Sequence, residues 1–405
     1  MKGWSSVKGW SELGMSNAPL SGVTVLAVEH AVAGPFASRQ LADLGARVIK
    51  IERPGTGDFA RDYDHAVRGM GSHFIWLNRG KESVAVDVKS PLGADALRRL
   101  TDRVDVVLQN LSPRAAQRLG LDAETLRARR PELIVCAING YGVDGPYAGR
   151  RAYDMLVQGE TGLISITGAG AHRAKSGVPV GDIAGGITAA NAVLAALLSR
   201  ANTGQGASLE VSLLAALAEW MGYPLTFTEA TGEQQPRSGI SHPAVAPYDA
   251  YPTADGPDVL ISVQNDTEWA RLAADVLDCP DLVVHPHFAT NVARCANRAK
   301  VDAAVAAATK TLSSDAAALR LDAAGVANGR VNDVADVLHH PQLAGHWREH
   351  PTPVGPVRGL RPVGADPSWE LPPGAVPALG EHTAAVLAEL GFDETEIASM
   401  VDGVG

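Results

Sequence analysis

Residues 23–52 read V-T-V-L-A-V-E-H-A-V-A-G-P-F-A-S-R-Q-L-A-D-L-G-A-R-V-I-K-I-E. Val23–Val28 is a short apolar strand, Phe36–Leu44 reads as a helix, and Val48–Ile51 is a second strand ending at Glu52. This is a β-α-β unit, whose crossover is right-handed. A second round follows, with a strand at Ser83–Asp87, a helix at Leu92–Thr101 and a strand at Val104–Leu108. Helical stretches at Ala115–Leu119 and Ala123–Arg129 then lead to a strand at Leu133–Ile138. Strands alternating with helices predict an α/β fold, Rossmann-like, with a mostly parallel sheet covered on both faces. Ligands then belong at the carboxyl edge of that sheet, where strand order reverses.

Beyond Gly140 the texture changes. Residues 141–152 are loop-like, Tyr153–Leu163 is helical, and Ile187–Arg200 has amphipathic spacing that stops at Thr203-Gly204-Gln205-Gly206. Leu209–Leu213 reads as a strand and Leu214–Met221 as a helix. The polar run Glu229–Pro247 reads as a mobile loop. A strand at Val259–Val263 and helices near 268–276, 298–309 and 315–323 suggest a smaller α/β domain. Prolines between about 350 and 380 suit an extended crossing, followed by short helices at 382–390 and 393–401. The expected division is therefore an N-terminal extension (1–19), a large domain (20–224), a small domain (225–345) and a C-terminal segment returning to the large domain (346–405). The extension repeats Lys-Gly-Trp-Ser and holds a second methionine at Met15.

The 405 residues are 46% hydrophobic and 20% charged, enough for a sizeable core. A net charge of -10 argues against a nucleic-acid partner, which requires phosphate neutralisation. No uninterrupted apolar run reaches the roughly 18–20 residues of a membrane span, and residues 1–19 lack the apolar core of a secretory signal. Cys136, Cys279 and Cys295 fit neither a disulfide framework nor a metal knuckle, which points to a reducing, cytoplasmic setting. His285, His287, His339 and His340 lack carboxylates at metal-site spacing, so no metal is expected.

Glu52 ends a second strand, where a dinucleotide ribose is often held. The turn Glu29-His30-Ala31-Val32-Ala33-Gly34-Pro35 lacks GxGxxG spacing, however, so no such cofactor is expected. Val180-Gly181-Asp182-Ile183-Ala184-Gly185-Gly186 offers a carboxylate where a helix starts. By spacing alone Asp182 is an N-cap. The same position suits a nucleophile, because a helix N-terminus favours the ionised form and a carboxylate needs no general base. Backbone N–H groups near Gly185 and Gly186 are candidate oxyanion donors. Asp154 is a candidate partner. Arg53, Arg61, Lys81, Lys89, Arg114 and Arg118 fall near strand ends and helix starts and suit phosphate contacts.

Nine stretches, in order, resemble one family. They are L-S-G-V-T-V-L at 20–26, A-G-P at 33–35 and L-A-D-L-G-A-R-V-I-K-I-E-R-P-G-T-G-D at 41–58. N-R-G-K-E-S-V-A-V-D-V-K at 78–89, Q-N-L at 109–111 and Y-D-M-L-V-Q at 153–158 follow. V-G-D-I-A-G-G at 180–186, T-G-Q-G at 203–206 and L-G-E-H-T at 379–383 complete the set. The chain from 20 to 400 thereby resembles the family III CoA-transferases, the formyl-CoA transferase and CaiB/BaiF group. The resemblance implies that Asp182 is the nucleophile, reacting through a mixed anhydride and an aspartyl-CoA thioester. It implies CoA contacts at His30, Ala31, Ala33, Arg53, Val86, Val88, Lys89, Asn110, Arg118, Arg151 and Asp154, with Tyr153, Gly185, Gly186 and His242 lining the substrate site. It also implies a ring-like, interlocked homodimer, with acyl-CoA as substrate and no permanently bound cofactor or metal.

Asn139 stands where formyl-CoA transferases carry a lysine, and Arg237-Ser238-Gly239-Ile240-Ser241-His242-Pro243 differs from their glycine-rich loop. Both departures point from formate or oxalate toward a short dicarboxylic or branched acid, with succinyl- or mesaconyl-CoA as the type. The same fold includes α-methylacyl-CoA racemases, which place a histidine at position 153. Tyr153, with a reference pKa near 10, is a poor base at neutral pH and favours transfer over racemisation. A CoA-binding protein without catalysis is the remaining alternative.

Overall fold

The computed structural model describes residues 17–371 and 373–402; residues 1–16 of the expected extension lie outside that range. In chain order the first elements are β1 (Thr24–Val28), α1 (Ala33–Asp43), β2 (Arg47–Glu52), α2 (Ser72–Asn78), β3 (Lys81–Ala85), α3 (Pro91–Thr101) and β4 (Val106–Gln109). Next come α4 (Pro113–Arg118), α5 (Ala123–Arg129), β5 (Ile134–Asn139), α6 (Asp154–Glu160), α7 (Leu163–Ile166) and the hairpin β6–β7 (Gly168–Ala169, His172–Arg173). Then follow α8 (Val180–Thr203), β8 (Ser208–Ser212) and α9 (Leu213–Trp220). The chain forms two compact units. The larger runs to Gly162 and adds Ser176–Tyr223 and His346 onward; the smaller holds Leu163–Lys175 and Pro224–Gly345. Leu163–Lys175, placed above in the large domain, thus packs with the smaller unit: its hairpin bridges to Ser238 through Ala169.

In the larger unit six strands make one sheet, in the order β3-β2-β1-β4-β5-β8, with every pairing parallel. Leu26 lies beside Ile49 and Val107, and Val107 beside Val135, so these side chains share one face. They are buried with Leu97 and Leu100 of α3, Leu126 of α5, and Val386, Leu387 and Leu390 from the C-terminal helical region. Strand order reverses between β1 and β4. That reversal opens a crevice beyond Val28 and Gln109, where open α/β sheets bind ligands.

Helix α8 starts seven residues earlier than its apolar spacing predicts and passes through Gly185 and Gly186. Packing overrides the poor helix propensity of glycine here. A Cβ on Gly185 would lie 2.3 Å from Leu213, and one on Gly186 would lie 2.9 Å from the Ala33 carbonyl oxygen and 3.0 Å from the Phe36 ring. By length and composition α8 could cross a membrane, yet half of its most apolar window is buried inside the protein, as in a core helix. Gly186→Ala is therefore expected to destabilise, by about 1–3 kcal/mol, despite alanine's higher helix propensity. A lowered urea midpoint checks this.

The smaller unit has an antiparallel sheet of β9 (Tyr248–Tyr251), β10 (Val259–Ser262) and β11 (Ala327–Arg330), with β10 central. Trp269, Val301, Val305 and Leu321 from its helices pack on Val259 and Ile261. The expected loop at 229–247 begins later than predicted. A helix over Gly222–Thr231 continues through Leu225 and Phe227, and Gly232, with φ +71°, ends it. All three cysteines are free.

Candidate active site

Asp182 is the third residue of α8, and Pro179 is its N-cap, so the expectation that Asp182 caps the helix is overturned. The cap comes from elsewhere in the chain. Asp154, the first residue of α6, accepts hydrogen bonds through Oδ1 from the N–H of Gly181 at 2.8 Å and of Asp182 at 3.4 Å. Its Oδ2 accepts from Gln158 Nε2 at 2.6 Å, and Gln158 Oε1 accepts from the Ser176 N–H. One carboxylate thereby occupies the positive end of α8, where anions are favoured.

The other is Asp182. Burial first, and the Asp154 charge second, push the Asp182 carboxyl up to about 7. Burial and the Asp154 charge thus act against the ionised form that a helix N-terminus favours. The oxyanion role for Gly185 and Gly186 also fails. Both lie beyond the first four residues of α8, so their N–H groups belong to the helix ladder. Their missing side chains serve the close approach of α1 and Leu213.

The crevice turn carries His30, Ala31 and Ala33. Asn110, just past the end of β4, grips it: its Oδ1 accepts from the His30 N–H at 3.0 Å, and its Nδ2 donates to the His30 carbonyl at 2.8 Å. Ala31 sits at φ +63°, a left-handed conformation that costs a non-glycine residue about 1–2 kcal/mol. The His30 ring meets Phe59 edge-on at 4.7 Å, and exposed Arg53 lies over the other part of that cluster, 5.6 Å from the Phe59 ring. Burial, the largest influence, lowers the His30 pKa.

Tyr63 was not singled out from the sequence, since it stands in the polar run Arg61-Asp62-Tyr63-Asp64. Its phenol is raised by burial and then by Asp58, Asp182 and Tyr153, which places it within electrostatic reach of the nucleophile candidate. An aromatic residue soon after the G-T-G-D turn was the available signal.

Of the basic residues, Lys89, Arg114, Arg118 and Arg151 are exposed. Val88 is half-buried, and Val86 is buried with its N–H on the Glu52 carbonyl. Tyr153 is 64% exposed. Arg61 and Lys81 are corrected. The Arg61 guanidinium makes a fork on Glu52 at 2.9 and 2.7 Å, and fully buried Lys81 donates to Glu29, Asn78 and the Pro35 carbonyl. Neither is available to a phosphate. Glu52 is equally occupied, by Arg61, Ser83 and the Asp58 N–H, so no ribose contact remains to it.

His242 belongs to the smaller unit. It stacks on Tyr248 at 5.2 Å, and Arg298 donates to its carbonyl. In the larger unit a cavity of about 720 Å³ is lined by Phe36, Trp76, Arg79, Trp347 and Leu360. It contains neither Asp182 nor Asp154, and so is separate from the carboxylate site.

The family model described as "CoA-transferase family III" matches residues 20–383. The chain belongs to the family III CoA-transferases. Its relatives include a succinate–glutarate CoA-transferase from Agrobacterium fabrum, 34% identical over 92% of this chain and 96% of that protein. A succinyl-CoA–D-citramalate CoA-transferase from Chloroflexus aurantiacus is 32% identical over 94% and 96%. An acetyl-CoA:oxalate CoA-transferase from Acetobacter aceti is 35% identical over 93% and 97%. A CaiB/BaiF family crystal structure from Brucella suis superposes with TM-score 0.80 at 35% identity, covering 92% of this chain and all of that one. This family III CoA-transferase therefore takes a CoA thioester as substrate.

Proposed function

We propose that this enzyme moves CoA from an acyl-CoA to a short dicarboxylic or branched acid, with succinyl-CoA as the type of donor, through covalent chemistry at Asp182. The observation that carries the reading is the division of labour between two carboxylates. Asp154 takes the helix N–H groups, while Asp182 is freed, desolvated and near half-ionised at neutral pH.

The Asp182 carboxylate attacks the thioester carbonyl, the C–S bond breaks, and CoA leaves as thiolate. The thiolate attacks the Asp182 carbonyl of the mixed anhydride, the C–O bond breaks, and the donor acid leaves. The acceptor carboxylate attacks the aspartyl-CoA thioester, expelling thiolate. The thiolate then takes the acceptor's acyl group and restores Asp182. No step requires an external energy source, because the thioester is conserved. His30, Ala31, Ala33, Arg53, Lys89, Asn110, Arg118 and Arg151 form the CoA side of this reading. A homodimer completes it.

The substrate class is supported by the activities named for the relatives, several of which involve succinyl-CoA. The test is intact mass after mixing with succinyl-CoA, with and without hydroxylamine or borohydride. A CoA adduct on Asp182, removed by hydroxylamine, is the expected result. Deuterium entering Cα of a branched acyl-CoA in deuterated water, with no adduct, would replace transfer by racemisation.

A further inference from the structure

The crevice turn is shaped by a buried ion pair that takes no part in the reaction above. Lys50 lies within β2, its side chain fully buried, and its Nζ donates to Asp58 Oδ2 at 2.8 Å. Asp58, also fully buried at its side chain, uses Oδ1 to accept from the N–H of Ala31 and of Ala60, both at 3.0 Å. Lys50 also reaches Glu29 Oε1 at 3.5 Å, the oxygen that accepts from Lys81 at 2.7 Å. Glu52 receives the Asp58 N–H at 2.9 Å. Three cations, Lys50, Lys81 and Arg61, thus face three anions, Glu29, Glu52 and Asp58.

A buried ion pair is weak evidence of stability, since apolar packing often does as well. What this pair supplies is geometry. Only a carboxylate offers acceptors to an ammonium on one side and two amides on the other. The amide it holds belongs to Ala31, whose left-handed backbone requires support. Beyond that residue, the Ala33 carbonyl packs on Gly186, one helical turn past Asp182 on the same face of α8. The turn also borders the strand-order reversal, where ligands enter.

We propose that Asp58, anchored by Lys50, is a positioning residue. It holds the His30–Ala33 turn in the conformation that docks CoA beside Asp182. The proposal rests on the CoA-transferase reading above, with that turn as part of the CoA site. It needs neither residue to touch substrate.

Three variants test it: Asp58→Asn, Asp58→Asn with Ala31→Gly, and Ala31→Val. An asparagine cannot accept from both Lys50 and Ala31, so Asp58→Asn releases one side. Glycine adopts φ > 0 freely, so Ala31→Gly restores the turn without the carboxylate. Valine there is a steric outlier and disrupts the turn with the ion pair untouched. Free CoA affinity is read by calorimetry, and the rate of Asp182 adduct formation is read against succinyl-CoA concentration. Asp58→Asn is expected to weaken CoA binding and raise half-saturation about tenfold, with the saturating rate within threefold. Ala31→Gly should recover at least threefold of that loss without raising the melting temperature, and Ala31→Val should reproduce it.

Unchanged CoA affinity in Ala31→Val, or in a folded Asp58→Asn, overturns the proposal, as does absence of rescue by glycine. If Asp58→Asn does not fold, Ala31→Val decides. Wild-type protein that binds CoA yet forms no adduct would sink the covalent reading alone, because affinity still judges the turn. Wild-type protein that binds no CoA would sink both.

Discussion

Asp182→Asn is expected to lower CoA transfer by roughly a thousandfold or more and to abolish the covalent adduct, because an amide cannot form the anhydride. CoA affinity should change little, since the turn and the exposed cations proposed for its site are intact. The same substitution should stabilise the protein, with a defined pH dependence. The folded carboxyl is raised to about 7 from an ordinary value of 3.8. Between those values the folded state binds more protons than the unfolded chain, so wild-type stability falls as pH rises from about 4 to 7 and levels off above. The full penalty is at most roughly 4 kcal/mol. Asp182→Asn escapes it, so its urea midpoint should exceed that of wild type at pH 8, with the gap narrowing by pH 4. A gap independent of pH would show that Asp182 is not held up by burial.

Asp154 variants should separate a structural from an electrostatic role. Asp154→Ala removes the acceptor for the Gly181 and Asp182 N–H groups. Loss of such a cap costs about 0.5–2 kcal/mol. A frayed first turn displaces Asp182, the proposed nucleophile, for which a loss of about 10²-fold in kcat is expected. Asp154→Asn keeps an acceptor but removes the charge that helps to raise Asp182. The acid limb of kcat/KM, centred near pH 7 in wild type, should therefore move to lower pH in both variants, because a less crowded carboxylate ionises earlier. Only the alanine variant should also lose stability. A limb that stays in place in both would show that the two carboxylates are not coupled.

Much of this was legible along the chain. The parallel sheet is written in short β-branched runs such as Val23–Val28 and Val48–Ile51, separated by helix-length spans, because alternation in sequence is alternation in space. The nine matching stretches identify the family for a similar reason: their order and spacing are properties of the chain itself. Asp182 could be singled out because a carboxylate before an apolar, glycine-bearing helix is uncommon enough to notice.

What the sequence by itself determined is therefore the fold class and the family, both carried by neighbours along the backbone. Tertiary structure decided which groups meet. Asp154, 27 residues before Gly181, caps the helix that Asp182 was expected to cap. Lys81 and Arg61 resembled phosphate ligands until Glu29 and Glu52 were found holding them. Gly185 and Gly186 resembled oxyanion donors until α1 and Leu213 were found filling the space beside them. Hydrogen bonds and charges act over a few ångströms of space, whatever the separation in sequence, so the roles of these residues emerge only once distant segments are brought together.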